Sequence, residues 1–504
     1  MPSKPTTRWQ VSGYRFLVRR MEHALVRRDV RMLHDPMRSQ SRAYAAGLVL
    51  GIVALAGCGV LALLRPQGAI GDNKILLGKD SGAVYAVIDG VVHPALNLSS
   101  ARLAVGEPAK AVSIKESELA KKPRGALIGI PGAPSSLNFD GSGNGRAWSI
   151  CDGLTNDGSQ DLTTTVVAGD PVLGSRAGKL GADSALLVQG RDAAYLVYDN
   201  KRARVNMNDP KVTEALGVRG KTPRPISPGL LNSIPEVLPI EPPKIVDPGG
   251  VPPYSLNNHR IGDVVHVATK DQFYVVLGTG LQPISPLTAD IIRYSTTSTS
   301  DNPEIDQSQA VGPDVSNELP VQQYPVQAPT IVDAKDQPVA CMSWKPVAGA
   351  GDKATDGSKR ASLAVITGYS LPIPDSAQTT PLAQADGSGQ NVDAFYSTPG
   401  SGFFVQTTGI EPDSQRRDSM FFIADTGVRY GIKDEKSQKA LGMDAQKAKP
   451  ELAPDQIVGL LAAGPTLGRQ EAMVAHDGVA PDPAPAKQLV QSKQDQAAQQ
   501  QSPN

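Results

Sequence analysis

Three kinds of hydrophobic pattern follow one another along the 504 residues. In the first, Tyr14, Leu17, Val18, Met21, Ala24 and Leu25 recur at spacings of three and four, with Arg15, Arg19, Arg20, Arg27 and Arg28 between them. That period predicts an amphipathic helix, bracketed by Gly13 and Pro36 and ending near Asp35-Pro36, where proline stops it. In the second, residues 43–64 form an unbroken apolar run with no charge, flanked by Arg42 and Arg65. In the third, short apolar runs alternate with Gly, Asp, Asn and Pro turns up to the C-terminal region, the signature of a mostly β protein.

At about 1.5 Å of rise per residue the 22-residue run reaches roughly 33 Å, enough to cross a hydrocarbon core of about 30 Å. A cleavable signal peptide fits poorly, because 42 residues precede the run and its length exceeds the usual range of about 7–15. Leu55-Ala56-Gly57-Cys58 resembles a lipidation box, but Gly59-Val60-Leu61-Ala62-Leu63-Leu64 continues the run beyond the cysteine. Cys58 therefore reads as a small apolar filler inside a membrane helix. Residues 1–42 hold one lysine and nine arginines against three acids, a net charge of +7. Basic residues beside a membrane helix stay in the cytoplasm, which puts residues 65–504 on the far side. The basic helix itself suits either anionic lipid or another protein of a complex.

In the third region one unit recurs: an apolar strand led by an aromatic, a turn, and a second short strand. The copies are Tyr85-Ala86-Val87-Ile88 with turn Asp89-Gly90, Tyr195-Leu196-Val197-Tyr198 with turn Asp199-Asn200, Tyr274-Val275-Val276-Leu277 with turn Gly278-Thr279-Gly280, and Phe421-Phe422-Ile423-Ala424 with turn Asp425-Thr426-Gly427. Gly, Asn and Asp accept the positive φ that tight hairpins need. A helix start follows each copy, near Leu98, Asn208, Ser285 and Lys433. The uneven spacing of the copies predicts a further domain contributed in two pieces, one between copies 1 and 2 and one between copies 3 and 4. The proline-rich stretch 235–253 reads as a stiff extended crossover.

The total charge is zero, with 50 basic and 50 acidic residues, which gives no reason to expect nucleic acid as a partner. Cys151 and Cys341 fall in the two insertions, on the far side of the membrane. In an oxidising compartment two such thiols pair, closing a loop of about 190 residues; the other reading is two independent buried thiols. No zinc-ligand spacing is present. From about Asp477 the chain is mostly Ala, Pro and Gln, which predicts a disordered tail.

Candidate chemistry is thin. Gly78-Lys79-Asp80-Ser81 is the nearest approach to a phosphate-binding loop, but Asp80 stands where Ser or Thr is required and would repel phosphate. Ser142 and Ser388 lie in Gly-Ser-Gly loops, not in a nucleophile elbow. Among His93, His259 and His266 no pair stands at helix-face metal spacing, and a dyad of acidic residues distant in sequence would leave no spacing signature.

The residues also resemble a known family. Arg19-Arg20-Met21-Glu22-His23-Ala24-Leu25 with Arg27-Arg28-Asp29, then Asp35-Pro36 and one membrane helix, is similar to the N-terminus of EccB, a membrane component of mycobacterial type VII (ESX) secretion systems. Asp89-Gly90-Val91-Val92-His93-Pro94-Ala95-Leu96-Asn97-Leu98 and Gly129-Ile130-Pro131-Gly132-Ala133-Pro134 resemble family stretches, with a general flavour of the fifth ESX system. The placement of Cys151 after Trp148 and of Cys341 before Trp344 is similar to the family's disulfide pair.

The resemblance implies an α+β, mostly β architecture. A cytoplasmic basic helix (1–42) and a single-pass transmembrane helix (43–64) would precede an elongated periplasmic region (65–470) of four hairpin repeats around a central β domain, with a disordered tail (471–504). It implies a hexameric export complex in the plasma membrane, with the EccC motor ATPase, EccD and EccE, neighbouring EccB copies and a mycosin protease as partners. The family also carries an ATPase label, which would make ATP its cofactor; the residues offer no phosphate loop for it, and no cofactor, metal or catalytic residue is assigned. A structural subunit is thus the leading expectation. The alternatives are a nucleotide hydrolase, in which Lys79 would matter, and a cell-wall-binding module.

Overall fold

The computed structural model describes residues 7–28, 30–31, 36–64, 70–140, 145–155, 161–256, 258–295, 303–347, 360–444 and 448–479. They form two compact units, Met1–Gly71 and Asp72–Asn504.

The first unit holds two helices. The basic helix runs Arg8–Arg27. Its start is set by Thr7, whose backbone N–H donates to the Gln10 side chain at 2.9 Å. Its end is set by Arg28, at φ 54°, whose N–H closes on the Ala24 carbonyl. The bracket expected from Gly13 and Pro36 is therefore corrected at both ends. Gly13 lies inside the helix, where a glycine costs only about 1 kcal/mol. Pro36 opens the next helix instead of closing this one, because a first-turn proline loses no hydrogen bond. Tyr14, Leu17, Met21 and Leu25 are all exposed. The second helix, Pro36–Leu64, passes without a break through Cys58, and its stretch Gln40–Leu61 is long and apolar enough to cross a membrane.

The second unit contains the four expected hairpins: Val84–Ile88 with Val91–Ala95, Ala194–Tyr198 with Lys201–Val205, Gln272–Leu277 with Gly280–Ile284, and Met420–Ile423 with Val428–Gly431. Asp89 and Gly90 (φ 49° and 80°) and Asp199 and Asn200 (φ 46° and 60°) make the left-handed turns that match strand twist. The four expected helices follow: Leu98–Val105, Pro210–Ala215, Pro286–Ser295 and Glu435–Leu441.

The unit is larger than its hairpin. In each repeat an earlier strand completes an antiparallel meander: Ile75–Gly78, Ser184–Gln189, Val264–Val267 and Phe403–Thr408. After the first helix the chain adds a short strand parallel to the first meander strand. It then forms a second helix (Glu116–Leu119, Pro228–Asn232, Gln307–Val311 and Asp455–Val458) and returns parallel to the third strand. In repeats 1, 2 and 4 the added strands are Val112–Ile114 and Leu127–Ile128, Arg224–Pro225 and Glu236–Ile240, and Glu451–Pro454 and Ala462–Ala463. Repeat 3 keeps the plan with single bridges, Glu304 to His266 and Val315 to Leu281.

The two insertions build one seven-stranded sheet. Its order is Thr380–Pro381, Ala394–Tyr396, Leu162–Ala168, Trp148–Leu154, Val339–Pro346, Ala361–Gly368 and Ala177–Lys179. One face shares a core with repeats 2 and 4 through Trp148, Ile150, Met342, Leu230, Phe403 and Ile457. Repeats 1 and 4 share a second core around Leu103, Phe422 and Leu441, and repeats 2 and 3 a third around Leu196, Val212 and Ile291. The chain also remains ordered past the expected limit at 470. Ala475–His476 pairs with Leu127–Ile128 and so closes repeat 1 from the far end of the sequence. The rest of the expected tail, from residue 480, lies outside the described residues, as do residues 141–144 of the first Gly-Ser-Gly loop.

Candidate functional site

The two cysteines meet where the insertions join. Strands Trp148–Leu154 and Val339–Pro346 run antiparallel in a register that sets Cys151 opposite Cys341 and Trp148 opposite Trp344. The sulfurs are bonded, and both residues are fully buried. The reading as two independent thiols is thereby removed. By the loop-entropy account, a 190-residue closure stabilises by about 5 kcal/mol.

The turn that comes nearest to a phosphate loop is already occupied by the chain itself. Asp80 and Ser81 donate their backbone N–H groups to Glu116 Oε1 at 3.1 and 3.0 Å, and the Ser81 hydroxyl donates to the same oxygen at 3.0 Å. The Ser81 backbone bond leads in holding the Glu116 carboxyl down to about 2. The neighbouring Asp80 carboxyl is pushed up, chiefly by its hydrogen bond to Glu116. A loop that cradles phosphate offers such amides to a ligand; here they serve a carboxylate from the second helix of the same repeat.

The histidines stay apart. His93 Nδ1 lies 3.1 Å from the Ala126 carbonyl, His266 stacks on Phe273 and approaches Asp271 at 3.1 Å, and His259 lies 3.8 Å from Asp263. No group of three His, Cys, Asp or Glu among the described residues is placed to hold a metal. Ser388 is tied into its own loop, donating to Asp386 Oδ1 at 2.7 Å.

Two acids that the sequence did not single out are buried where the central sheet meets its repeats. Asp152 follows Cys151 and is 1% exposed. Its Oδ1 accepts from the Thr164 hydroxyl at 3.0 Å, and its Oδ2 accepts from the Ser227 N–H at 2.6 Å. Ser227 caps the second helix of repeat 2. Burial nevertheless dominates and raises the Asp152 carboxyl to about 6, while the buried Arg224 guanidinium opposes the rise. Glu451 of repeat 4 is also 1% exposed. It accepts from the Arg146 N–H at 3.4 Å, and Arg146 Nε lies 3.9 Å from its other oxygen. Burial raises Glu451 to about 7 against the pull of Arg146. A single acid within an apolar strand is the one sequence signal that could have found Asp152.

The repeats pair through equivalent helices. First helices pack repeat 1 on repeat 4 and repeat 2 on repeat 3, and second helices pack repeat 2 on repeat 4. This arrangement builds a scaffold with several covered joints. Its chemistry at those joints is burial and hydrogen bonding.

Comparison with known proteins agrees over the full length. The family model "Type VII secretion system ESX-1, transport TM domain B" matches residues 3–481. The chain is 38% identical to the ESX-3 secretion system ATPase EccB3 of Mycolicibacterium smegmatis, covering 95% of this chain and 93% of that protein. It is 33% identical to the ESX-5 secretion system ATPase EccB5 of Mycobacterium tuberculosis, covering 96% of each. Among solved structures, a chain of an intact ESX-5 inner membrane complex superposes with a TM-score of 0.74 at 30% identity, covering 97% of this chain and 99% of that one. The EccB3 dimer from the ESX-3 core complex gives 0.68 at 35% identity, covering 80% and 100%. These identities do not single out the fifth ESX system.

Proposed function

We infer, from the fact that this chain belongs to the EccB family of type VII secretion components, that it acts as a structural core subunit of an ESX inner-membrane complex. The observation that carries this reading is the superposition of nearly the whole chain on a subunit of an intact inner membrane complex. The chain is membrane-anchored with a periplasmic part, and other ESX core components are its partners.

The finer reading adds orientation and roles. The basic helix faces the cytoplasm and docks there against EccC, EccD and EccE, the span Gln40–Leu61 anchors the chain, and the repeats link neighbouring copies in the periplasm. A mycosin protease is a further periplasmic partner. The +7 charge of residues 1–42 supports the orientation. The relatives carry the word ATPase in their names. We assign no nucleotide to the Gly78-Lys79-Asp80-Ser81 turn, because the amides of Asp80 and Ser81 are bonded to Glu116.

The test is detergent extraction of the native membrane protein, then mass measurement of the intact particle and identification of its components. A megadalton particle containing an ATPase and polytopic membrane proteins is expected. A free monomer would overturn the scaffold reading. Alongside it, Lys79→Ala in the purified chain is expected to leave any ATP turnover unchanged; its loss would favour the hydrolase.

A further inference from the structure

Strand Trp148–Leu154 and its approach hold both joints of the central sheet: Asp152 touches repeat 2, and Arg146 touches repeat 4. We propose that these two joints are proton-sensitive, closing as the pH falls and loosening as it rises toward neutrality, so that the angle at which repeats 2 and 4 are held on the central sheet depends on pH.

The hydrogen bonding explains why protonation is accommodated. Asp152 and the Thr164 hydroxyl stand 3.0 Å apart, and a hydroxyl can accept as well as donate. A proton taken from solvent onto Asp152 Oδ1 can be donated to Thr164 Oγ1, while Oδ2 keeps the Ser227 N–H. The Asp152–Thr164 contact reverses its direction and the Ser227 bond is kept, so that the Thr164 hydroxyl turns its own hydrogen away from Asp152 as a buried charge disappears. The charged groups facing Asp152 are few. Arg224 attracts it, but the Arg224 guanidinium already donates to the Gln337 and Pro338 carbonyls. Asp333 also attracts Arg224. Asp393 accepts the Thr164 N–H, which places a second buried acid close by.

At the other joint one guanidinium serves two acids. Arg146 lies 3.3 Å from Asp140 and 3.9 Å from Glu451, and it stacks 5.2 Å over the Phe403 ring. Asp140 is half exposed, whereas Glu451 is buried. A proton on Glu451 neutralises the buried acid and leaves Arg146 paired with Asp140. Above neutrality Glu451 is a buried charge opposite Val405 of the neighbouring strand, and relief comes from water entering the joint.

The test is amide hydrogen exchange of the full chain in lipid nanodiscs at pH 5.5, 6.5, 7.5 and 8.5, corrected for the chemical exchange rate. Opening of residues 449–456 is expected to rise at least about ten-fold across this range and that of residues 226–234 about four-fold, because Asp152 gives up most of its contribution below pH 5.5 and Glu451 gives up most of its own within the range. The hairpin Gln272–Leu277 with Gly280–Ile284 of repeat 3 serves as the internal control and is expected to stay flat. Asp152→Asn is expected to flatten the first segment alone, and Glu451→Gln the second alone. Joint segments of the wild-type chain that follow the control hairpin would overturn the proposal, with no variant needed. Equal pH dependence in the wild type and the double variant would overturn it as well.

Discussion

Cys151 faces Cys341 directly across the two middle strands of the central sheet, and their bond joins segments 190 residues apart. One strand comes from the insertion after repeat 1 and the other from the insertion after repeat 3. The sheet that carries repeats 2 and 4 is therefore assembled late in sequence terms, by pairing two pieces whose closure costs chain entropy. The disulfide reduces that cost in the unfolded chain.

Replacing either partner, Cys151→Ser or Cys341→Ser, is expected to lower the stability of the periplasmic part by about 4–5 kcal/mol. Denaturant titration of the purified protein checks this, with wild type under strong reductant shifting by a similar amount. A change below about 1 kcal/mol would sink the idea that the bond holds the sheet together.

Helix caps offer a comparison between repeats. Asn97 accepts from the Ser100 N–H at 2.9 Å and the Ser100 hydroxyl at 2.7 Å, and it donates to the Ile130 carbonyl at 2.9 Å, all buried. Asp209, in the equivalent place of repeat 2, accepts from the Lys211 N–H at an exposed site. Asn97→Ala is expected to cost about 2–3 kcal/mol, since buried partners are left unpaired, and Asp209→Ala about 1 kcal/mol. Urea midpoints of the two variants decide it, and the reverse order would contradict this account.

What the sequence disclosed depended on how local each feature is. The hairpins at Asp89-Gly90 and Asp199-Asn200 were legible because turn chemistry acts over two residues. The first helices were legible from the helix start that follows each hairpin. The second helices have four or five residues each, too few to show a period, so the seven-element plan of the repeat stayed hidden. The end of the basic helix was misplaced because Pro36 is compatible with a helix start as well as a stop. The pairing of Cys151 with Cys341 was legible from their number and compartment, while the register of the two distant strands that sets them opposite was not. Glu451 looks like any other acid until repeat 4 closes over it, and Asp152 is set apart only by the apolar strand that carries it.

The shifted acids predict an unusual pH profile. Asp152 and Glu451 are raised in the folded state above their ordinary values of 3.8 and 4.5. Their contribution is therefore greatest at low pH and is lost as the pH rises through about 6 and about 7. Glu116, Asp386, Asp434 and Glu471 are lowered, each led by a hydrogen bond, so their contributions are present at neutral pH and lost in acid. The thermal midpoint is expected to peak near pH 5, with a decline toward pH 8 worth about 1–2 kcal/mol from Asp152 and about 2–3 kcal/mol from Glu451. The double variant Asp152→Asn, Glu451→Gln should flatten the alkaline side and leave the acid side intact. A wild-type midpoint that climbs from pH 5 to pH 8 would contradict the sign.

The membrane helix makes the last prediction. Pro36–Leu64 is one continuous helix, with Cys58 within it and six residues of helix beyond it. Lipidation at Cys58 would require cleavage before the cysteine and would remove residues 1–57 from the mature chain. A transmembrane anchor keeps them, and the orientation proposed above puts their +7 charge on the cytoplasmic side. The intact mass of the protein from native membranes is thus expected to retain the N-terminal residues, with no acyl addition at Cys58. Protease added to spheroplasts should digest the region beyond the span and spare an epitope fused to the N-terminus. A mature chain beginning at Cys58 would overturn the single-pass anchor, and an N-terminal epitope cut from outside would overturn the orientation.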